Sequence, residues 1–313
     1  MIKVRRIGHA TFETPDLDKA VDHFTQVMGL SLAGRDGKRA FLASKIGQLA
    51  IELQEGSQRR CTKLSFEVAP DADFADMRKT LSAHGVTAEE RGDSMPGMPK
   101  VLSFDDPKGT RIELFRDWSR VGNGQQVVGI GVLKLGHVAF AVHDPKTMAE
   151  FYEKVLGFRV SDWIGDFFVF LRCNADHHAV NFITAKTPNM HHIAYEVKDF
   201  SHLQTACDLF GQKQIPIVWG PARLGPGHNI AAFHRDHDDW VVEVYCELDQ
   251  MKDEALGYWD PRPWHREMPQ RPKTWPAARG AYMWGLPPSP EFFRGRDTPL
   301  SDAPDSPSPD QRK

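Results

Sequence analysis

Three polar residues stand among apolar β-forming residues in the second half of the sequence. They are His137 in the run LGHVAF, His192 in HHIAYEV and Glu243 in VVEVY. An imidazole or carboxylate that faces the interior of a sheet is costly unless it is paired or binds a metal ion. One such residue is best interpreted as a buried histidine satisfied by hydrogen bonds, whereas three at equivalent strand positions favour a metal site.

The chemistry of a His137, His192 and Glu243 set is that of a mononuclear metal centre. Two neutral imidazoles and one carboxylate form the facial triad of non-haem Fe(II), which leaves coordination positions open for substrate and O₂. Mn(II) suits the same ligands, and zinc takes similar ones. We therefore expect one Fe(II) per chain, with Mn(II) as the alternative.

The elements that position these residues belong to a repeat of about 129 residues. IGHATFETPDLDKAVDHFTQVMGLSL matches LGHVAFAVHDPKTMAEFYEKVLGFRV, and three shorter blocks follow in the same order. His9 and Glu113 correspond to His137 and Glu243, but Lys63 stands where the second half has a histidine. Because an ammonium group offers no lone pair, we expect no metal in the first half, with Lys63 pairing Glu113.

Each copy of the repeat predicts two βαβββ units. Leu17, Val21, Phe24 and Met28 form the stripe of an amphipathic helix, which Asp16 can begin and Gly29 can end. In the second copy the corresponding helix begins at Asp144-Pro145 and ends at Gly157. A further helix is expected over about 72–83 in the first copy.

The chain divides by composition into four segments. We predict an N-terminal domain over 1–126, a C-terminal domain over 127–250 that carries the site, an arm rich in Pro and aromatic residues over 251–294, and a disordered tail over 295–313. The arm carries tryptophans that either shield the mouth of the pocket or form an interface: Trp259, Trp264, Trp275 and Trp284.

Composition excludes several classes of function. Hydrophobic residues make up 41% and charged residues 26% of the 313 residues, and Lys plus Arg number 39 against 42 Asp plus Glu, for a net charge of -3. The chain lacks the excess of basic residues that is typical of nucleic-acid-binding proteins. No apolar run approaches the roughly 20 residues that are needed to span a bilayer. Four cysteines far apart in sequence indicate reduced thiols and a cytoplasmic location.

The sequence resembles the two-domain type I extradiol catechol dioxygenases of the vicinal oxygen chelate (glyoxalase and bleomycin-resistance) superfamily over roughly residues 1–250. The stretches that carry the resemblance are GHVAF, CNADHHAVNF, HHIAYEV, WGPARLGPGHNIAAF and VVEVY. The resemblance implies that His137, His192 and Glu243 bind Fe(II), and that His178, with His177 beside it, acts as the acid/base. It also implies an α+β fold of two tandem domains, each a curved mixed sheet that forms an open barrel.

The activity implied by this resemblance is insertion of both atoms of O₂ into a small aromatic vicinal diol, giving a ring-opened semialdehyde in the degradation of aromatic compounds. The expected partners are the diol and O₂, with no nucleic acid and no membrane. Exposed strand edges and the aromatic arm favour a homo-oligomer.

Two positions depart from the pattern of that family. Leu224 stands where the family usually has a histidine, and Phe233 stands where it usually has a tyrosine. His228 or His234 could replace these hydrogen-bond donors, and we take His228 as a further candidate catalytic residue. The departures keep two alternatives open, namely a non-oxidative metal-dependent lyase or isomerase on the same scaffold, and a protein that binds an aromatic ligand.

Overall fold

The computed structural model describes residues 1–92, 95–122, 128–260, 272–276 and 282–302, with residues 301–302 described by their backbone alone. The predicted boundary at 126/127, Trp264 and residues 303–313 of the predicted tail lie outside these ranges. Within these ranges, no helix is both long and apolar enough to span a bilayer.

The N-terminal half forms two βαβββ units whose eight strands make one sheet. The order across the sheet is β2-β3-β4-β1-β5-β8-β7-β6, and only the pairs β1 with β4 and β5 with β8 are parallel. The elements are β1 (Val4–Thr14), α1 (Leu17–Gln26), β2 (Ser31–Asp36), β3 (Arg39–Ala43), β4 (Leu49–Glu55), β5 (Arg60–Val68), α2 (Phe74–Ala83), β6 (Glu89–Arg91), β7 (Val101–Asp105) and β8 (Arg111–Phe115).

The C-terminal half repeats this arrangement, which confirms the predicted four βαβββ units. Its central strands run in the order β10-β11-β12-β9-β13-β16-β15-β14, with β9 parallel to β12 and β13 parallel to β16. The elements are β9 (Lys134–Val142), α3 (Pro145–Leu156), β10 (Arg159–Ile164), β11 (Phe168–Arg172), β12 (Val180–Thr184), β13 (Asn189–Glu196), α4 (Phe200–Gln212), β14 (Ile217–Leu224), β15 (Ile230–Arg235) and β16 (Val241–Cys246).

The segment after residue 250 lies on the C-terminal half. A short hairpin is followed by two strands that extend both outer edges of the second sheet, since β19 pairs with β10 and β20 pairs with β14. The elements are β17 (Met251–Asp253), β18 (Tyr258–Trp259), β19 (Lys273–Trp275), β20 (Tyr282–Gly285), α5 (Pro290–Phe293) and α6 (Pro299–Asp302). Over the described residues, the second sheet therefore has ten strands.

The predicted disorder from residue 295 differs from the structure over 295–302. Arg296 donates to the carbonyl oxygen of His191 at 2.7 Å, and the Asp297 carboxylate accepts from the backbone N–H of Thr187 at 3.0 Å. The Leu300 side chain is buried against the C-terminal half. A polar, proline-containing sequence is ordered here because these side chains find partners that its composition does not reveal.

Helices α1 and α3 begin at the predicted capping residues, but two predicted helix termini differ from the structure. The Asp144 carboxylate accepts from two backbone N–H groups of α3, which ends at Gly157 in the left-handed conformation as predicted. Asp16 likewise begins α1, but that helix ends at Gln26, before Gly29. Helix α2 begins at Phe74 and not at residue 72, because the Asp73 carboxylate accepts from the first backbone N–H groups.

The two halves share a continuous apolar core. Phe66 of β5 packs edge-to-face on Phe158, with ring centroids 5.4 Å apart. Tyr152 of α3 is fully buried, and its hydroxyl donates to the Asp106 carboxylate across the junction at 3.1 Å. The C-terminal sheet is thereby held from behind by the N-terminal half, which leaves its concave face free to form a site.

Candidate metal centre

The three candidate ligands project from adjacent central strands of the second sheet. Ala194 of β13 is the register partner of His137 on β9 and of Glu243 on β16. His192 lies two residues before Ala194 on the same strand. Because side chains two residues apart, and side chains of register partners, lie on the same face of a sheet, all three ligands point into the concave side.

The ligand atoms converge closely. His137 Nε2 lies 3.1 Å from both His192 Nε2 and Glu243 Oε2, and His192 Nε2 lies 3.3 Å from the same oxygen. Donor atoms that bind one ion at about 2.1 Å and at right angles are about 3.0 Å apart, so this spacing fits a metal ion. The three residues are 7% exposed or less, and three converging electron-rich atoms in such a place require a cation or shared protons.

Further residues hold the ligands from behind. Asn229 donates from Nδ2 to Glu243 Oε1 at 2.7 Å, which leaves Oε2 facing the histidines. The Nδ1 atoms of His191 and His192 are 2.7 Å apart, and Arg296 lies 3.0 Å from His191 Nε2. A neutral His192 that binds a cation through Nε2 carries its proton on Nδ1, the atom that faces His191.

Burial keeps His192 and His178 neutral. It lowers the pKa of His192 well below its usual range, and positive charge on His191, His137, Arg296 or His178 lowers it further. Burial also lowers the pKa of His178 well below the usual range, followed by the influence of His137 and His177. Neutral imidazole is the form that binds metals and accepts protons.

His178 stands at the edge of this cluster, and a chain of hydrogen bonds orients it. Its ring centroid is 4.3 Å from that of His137. Its Nδ1 is 2.9 Å from His177 Nδ1, and His177 Nε2 is 3.2 Å from the Asp162 carboxylate. Because a carboxylate only accepts, neutral His177 carries its proton on Nε2 and accepts at Nδ1. His178 then carries its proton on Nδ1 and keeps a lone pair on Nε2.

The Asp162 carboxylate links this chain to the segment after residue 250. It also accepts from the backbone N–H of Lys273 and from the indole N–H of Trp275, each at 2.8 Å. The arm therefore holds the Asp162 carboxylate in place, and this carboxylate in turn orients His177. Trp259 packs on His177 as well, with centroids 5.1 Å apart.

A cavity opens in front of the ligands. Its walls are mainly apolar, and α5 and α6 contribute Phe292 and Leu300 to them, so the C-terminal segment forms part of the cavity. No lysine or arginine is found among the described lining residues, which are His137, Ile164, Phe168, Phe170, His178, Asn181, His191, His192, Trp219, Leu224, Pro226, Asn229, Phe233, Glu243, Phe292 and Leu300.

The structure does not bring His228 to the cavity wall. Its Nδ1 is 2.6 Å from the Asp249 carboxylate and its ring packs near Trp275, so we interpret it as a structural residue and no longer as a replacement for the missing donor. His234 does not replace it either, because it faces the first half and contacts His23 at 3.2 Å. Leu224 and Phe233 line the cavity, Phe233 as the register partner of Glu243.

The first half has a lysine, Lys63, at the position that corresponds to His192, and its polar residues form an ionic cluster. Lys63 Nζ lies 3.3 Å from the Glu113 carboxylate, which confirms the predicted pair, and 3.6 Å from that of Glu52. His9 Nδ1 is 2.7 Å from the Ser65 hydroxyl, and burial lowers the pKa of His9 to about 3. An ammonium group thus takes the position that His192 has in the second half.

Sequence analysis missed several residues of this site. Asn229 follows His228 in the GPGHN loop, and His191 precedes a predicted ligand, so both had a signal in their neighbourhood. Asp162, Arg296 and the cavity-lining residues of α5 and α6 had none, because they contact segments far from them in sequence, such as Lys273 for Asp162 and His191 for Arg296.

Comparison with known proteins agrees with this geometry. The sequence profile of the Glyoxalase/Bleomycin resistance protein/Dioxygenase superfamily matches residues 6–114 and 134–244. A 3-methylcatechol 2,3-dioxygenase of Pseudomonas putida is 25% identical over 77% of this chain and 89% of its own length. An iron-dependent extradiol dioxygenase of Rhodococcus jostii is 25% identical over 81% of this chain and 93% of its own.

A solved structure shares the fold. The Mn(II)-bound glyoxalase of Novosphingobium aromaticivorans superposes with a TM-score of 0.81 at 24% identity, covering 93% of this chain and 94% of that one. The duplicated domains, the concave site and the two profile matches confirm the family predicted from the sequence. The chain belongs to the Glyoxalase/Bleomycin resistance protein/Dioxygenase superfamily.

Proposed function

We propose that this protein is an extradiol ring-cleaving dioxygenase that inserts both atoms of O₂ into a small aromatic vicinal diol. The observation that carries the proposal is the convergence of His137, His192 and Glu243 within 3.3 Å at the base of an apolar cavity, with His178 beside them. The names of the relatives support the same reaction class.

His137, His192 and Glu243 would hold one Fe(II), with Mn(II) as the alternative, since one relative is named iron-dependent and one related structure is manganese-bound. When bound, the metal supplies Lewis acidity toward the diol oxygens and the redox chemistry of O₂. Asn229 keeps the carboxylate of Glu243 turned toward the histidines.

His178 is the proposed acid/base. Its Nε2 lone pair accepts the proton of one diol hydroxyl and later returns it to the oxygenated product, as a neutral imidazole can near pH 7. His177 and Asp162 act through hydrogen bonds that hold His178 in the tautomer that accepts at Nε2. The apolar walls exclude water and receive the ring, which favours diols with nonpolar substituents.

One observation favours a second candidate, a non-oxidative metal-dependent lyase or isomerase. Leu224 and Phe233 place hydrocarbon in the cavity where the extradiol pattern has hydrogen-bond donors. Chemistry that needs only a chelated substrate and a base, without stabilisation of bound oxygen, would tolerate such walls.

The deciding experiment is anaerobic purification, measurement of metal per chain, and addition of O₂ with a panel of substituted catechols. One iron per chain, O₂ uptake and a new yellow chromophore are expected. One metal with no O₂ uptake on any diol would favour the non-oxidative enzyme, and the absence of metal would refute both.

We also retain as proposals a cytoplasmic location, a homo-oligomer, and the domain limits 1–126 and 127–250 with the arm over 251–294. Analytical ultracentrifugation of the purified protein measures the oligomeric state directly.

A further inference from the structure

An amide without hydrogen bonds lies in the cavity. Asn181 of β12 lines the cavity and is 1% exposed, and neither its Oδ1 nor its Nδ2 has a hydrogen-bond partner among the described residues. An amide carries two donors and an acceptor, and burying one without partners is unfavourable. Such a group in a cavity wall marks a place where a ligand supplies the missing hydrogen bonds.

The sheet register places Asn181 on the same face as the metal ligands. Asn181 is the register partner of Ala139 on β9, and Ala139 is the register partner of His192 on β13. His137 lies two residues before Ala139 on the same strand. Since register partners and alternate residues share a face, the amide belongs to the row of side chains that surrounds the candidate metal centre.

The first half has a polar residue at the equivalent position, and there it is fully paired. Glu52 of β4 is the register partner of Thr11, as Asn181 is of Ala139. The Glu52 carboxylate accepts from the Thr11 hydroxyl at 2.6 Å and from the guanidinium of Arg39, and it lies 3.6 Å from Lys63 Nζ. The first half therefore uses this position as the centre of a buried ionic cluster.

The second half has replaced every one of those partners. Ala139 stands at the position of Thr11, Phe168 at that of Arg39 and His192 at that of Lys63. The change removes a hydroxyl, a guanidinium and an ammonium, while the buried position itself stays polar as Asn181. A position kept for packing alone would be better filled by an apolar side chain of the same size.

We propose that the Asn181 carboxamide is a substrate-positioning residue that hydrogen-bonds an oxygen of the bound diol. This inference rests on the proposed function, because it takes the ligand of the cavity to be a vicinal diol. Nδ2 can donate to a deprotonated oxygen and Oδ1 can accept from a remaining hydroxyl. The amide thus supplies polarity that the cavity lacks at Leu224 and Phe233.

The test is Asn181→Leu, which keeps the size of the side chain and removes both hydrogen-bonding atoms. Removal of an unpaired buried amide leaves the melting temperature of the ligand-free protein unchanged or higher. The dissociation constant for 3-methylcatechol, measured by anaerobic calorimetry, should rise by about 10- to 100-fold, and KM for ring cleavage should rise with it. The exposed Asn189→Leu on β13 is the matched control and should change neither value.

The two readings separate a role in substrate binding from a role in folding. A lower melting temperature with unchanged catechol affinity would show that the amide serves the fold, and would overturn the inference. Equal affinity of wild type and Asn181→Leu at equal melting temperature would overturn it as well. If the wild-type protein binds no catechol at all, the proposed function fails, and the inference that depends on it fails for that separate reason.

Discussion

The sharpest test of the metal centre is to replace His192 by lysine, the residue that the first half has at the equivalent position. His192→Lys introduces a lysine at the register position that Lys63 occupies in the N-terminal sheet. There the ammonium lies 3.3 Å from the Glu113 carboxylate, and the strands around it are intact. A lysine at position 192 can therefore pair with Glu243 and keep the fold while it removes one ligand.

The expected loss of metal affinity is large. An ammonium within reach of Glu243 would lie about 4 Å from a divalent cation bound to the same carboxylate. At an effective dielectric constant of about 20, a single and a double positive charge at that distance repel by about 8 kcal/mol. Since about 1.4 kcal/mol is a factor of ten in affinity, the repulsion alone lowers affinity by about 10⁵- to 10⁶-fold, beyond the loss of the imidazole.

The assay combines metal analysis with thermal unfolding under anaerobic conditions. Wild-type protein should hold one metal per chain, and free metal at about 100 times its dissociation constant should stabilise it by about 2.7 kcal/mol. His192→Lys should hold none, and its melting temperature should not respond to added Fe(II) or Mn(II). His9→Gln is the matched control in the first half, and it should leave the metal content at one per chain.

Two results would refute the reasoning. A His192→Lys protein that still binds one metal per chain would show that these residues are not the ligands. Loss of metal in the His9→Gln control, with the fold intact, would place the metal in the first half instead.

Three further predictions concern single histidines. His178→Ala should abolish turnover while metal per chain stays at one, and survival of ring cleavage would remove it from the mechanism. His228→Ala should lower the free energy of unfolding by about 3 kcal/mol without changing metal content, because its partner is the buried carboxylate of Asp249; urea denaturation tests this. Burial, with a smaller effect of the charge on His237, lowers the pKa of His23 from 6.5 to about 3. The neutral form of His23 therefore stabilises the fold above pH 6.5, and this contribution is lost as pH falls, by about 2 kcal/mol at pH 5. Urea denaturation of His23→Leu should show a weaker loss of stability between pH 7.5 and pH 5 than wild type, and equal losses would contradict the assignment.

The fold and the convergence of the three candidate ligands could be predicted from the sequence because both depend on local patterns. The repeat showed that His137, His192 and Glu243 lie at corresponding positions on predicted strands. The alternation of side chains along a strand then predicted that all three lie on one face of the sheet. The pair of Lys63 with Glu113 followed from the same alignment. These inferences needed only register and residue type.

The residues that hold the candidate ligands and His178 in place could not be predicted from local sequence patterns. The contacts of Asp162 with β19, and of Arg296 with His191, join segments that no local pattern connects. His228 illustrates the opposite error, because nearness in sequence to Leu224 suggested chemistry while its positive φ of 49° and its bond to Asp249 direct it away from the cavity. The meaning of Asn181 also depends on what surrounds it, which the sequence alone does not give.

The cavity is assembled from parts that a ribosome makes in a fixed order. The candidate metal ligands lie on strands that are complete by Cys246, whereas Phe292 and Leu300, which line the cavity, follow roughly 50 residues later. At ordinary rates of synthesis this gap lasts about 3 to 10 s, during which the preceding domains can already fold. The candidate ligands can therefore be in place before the residues that complete the cavity wall are made.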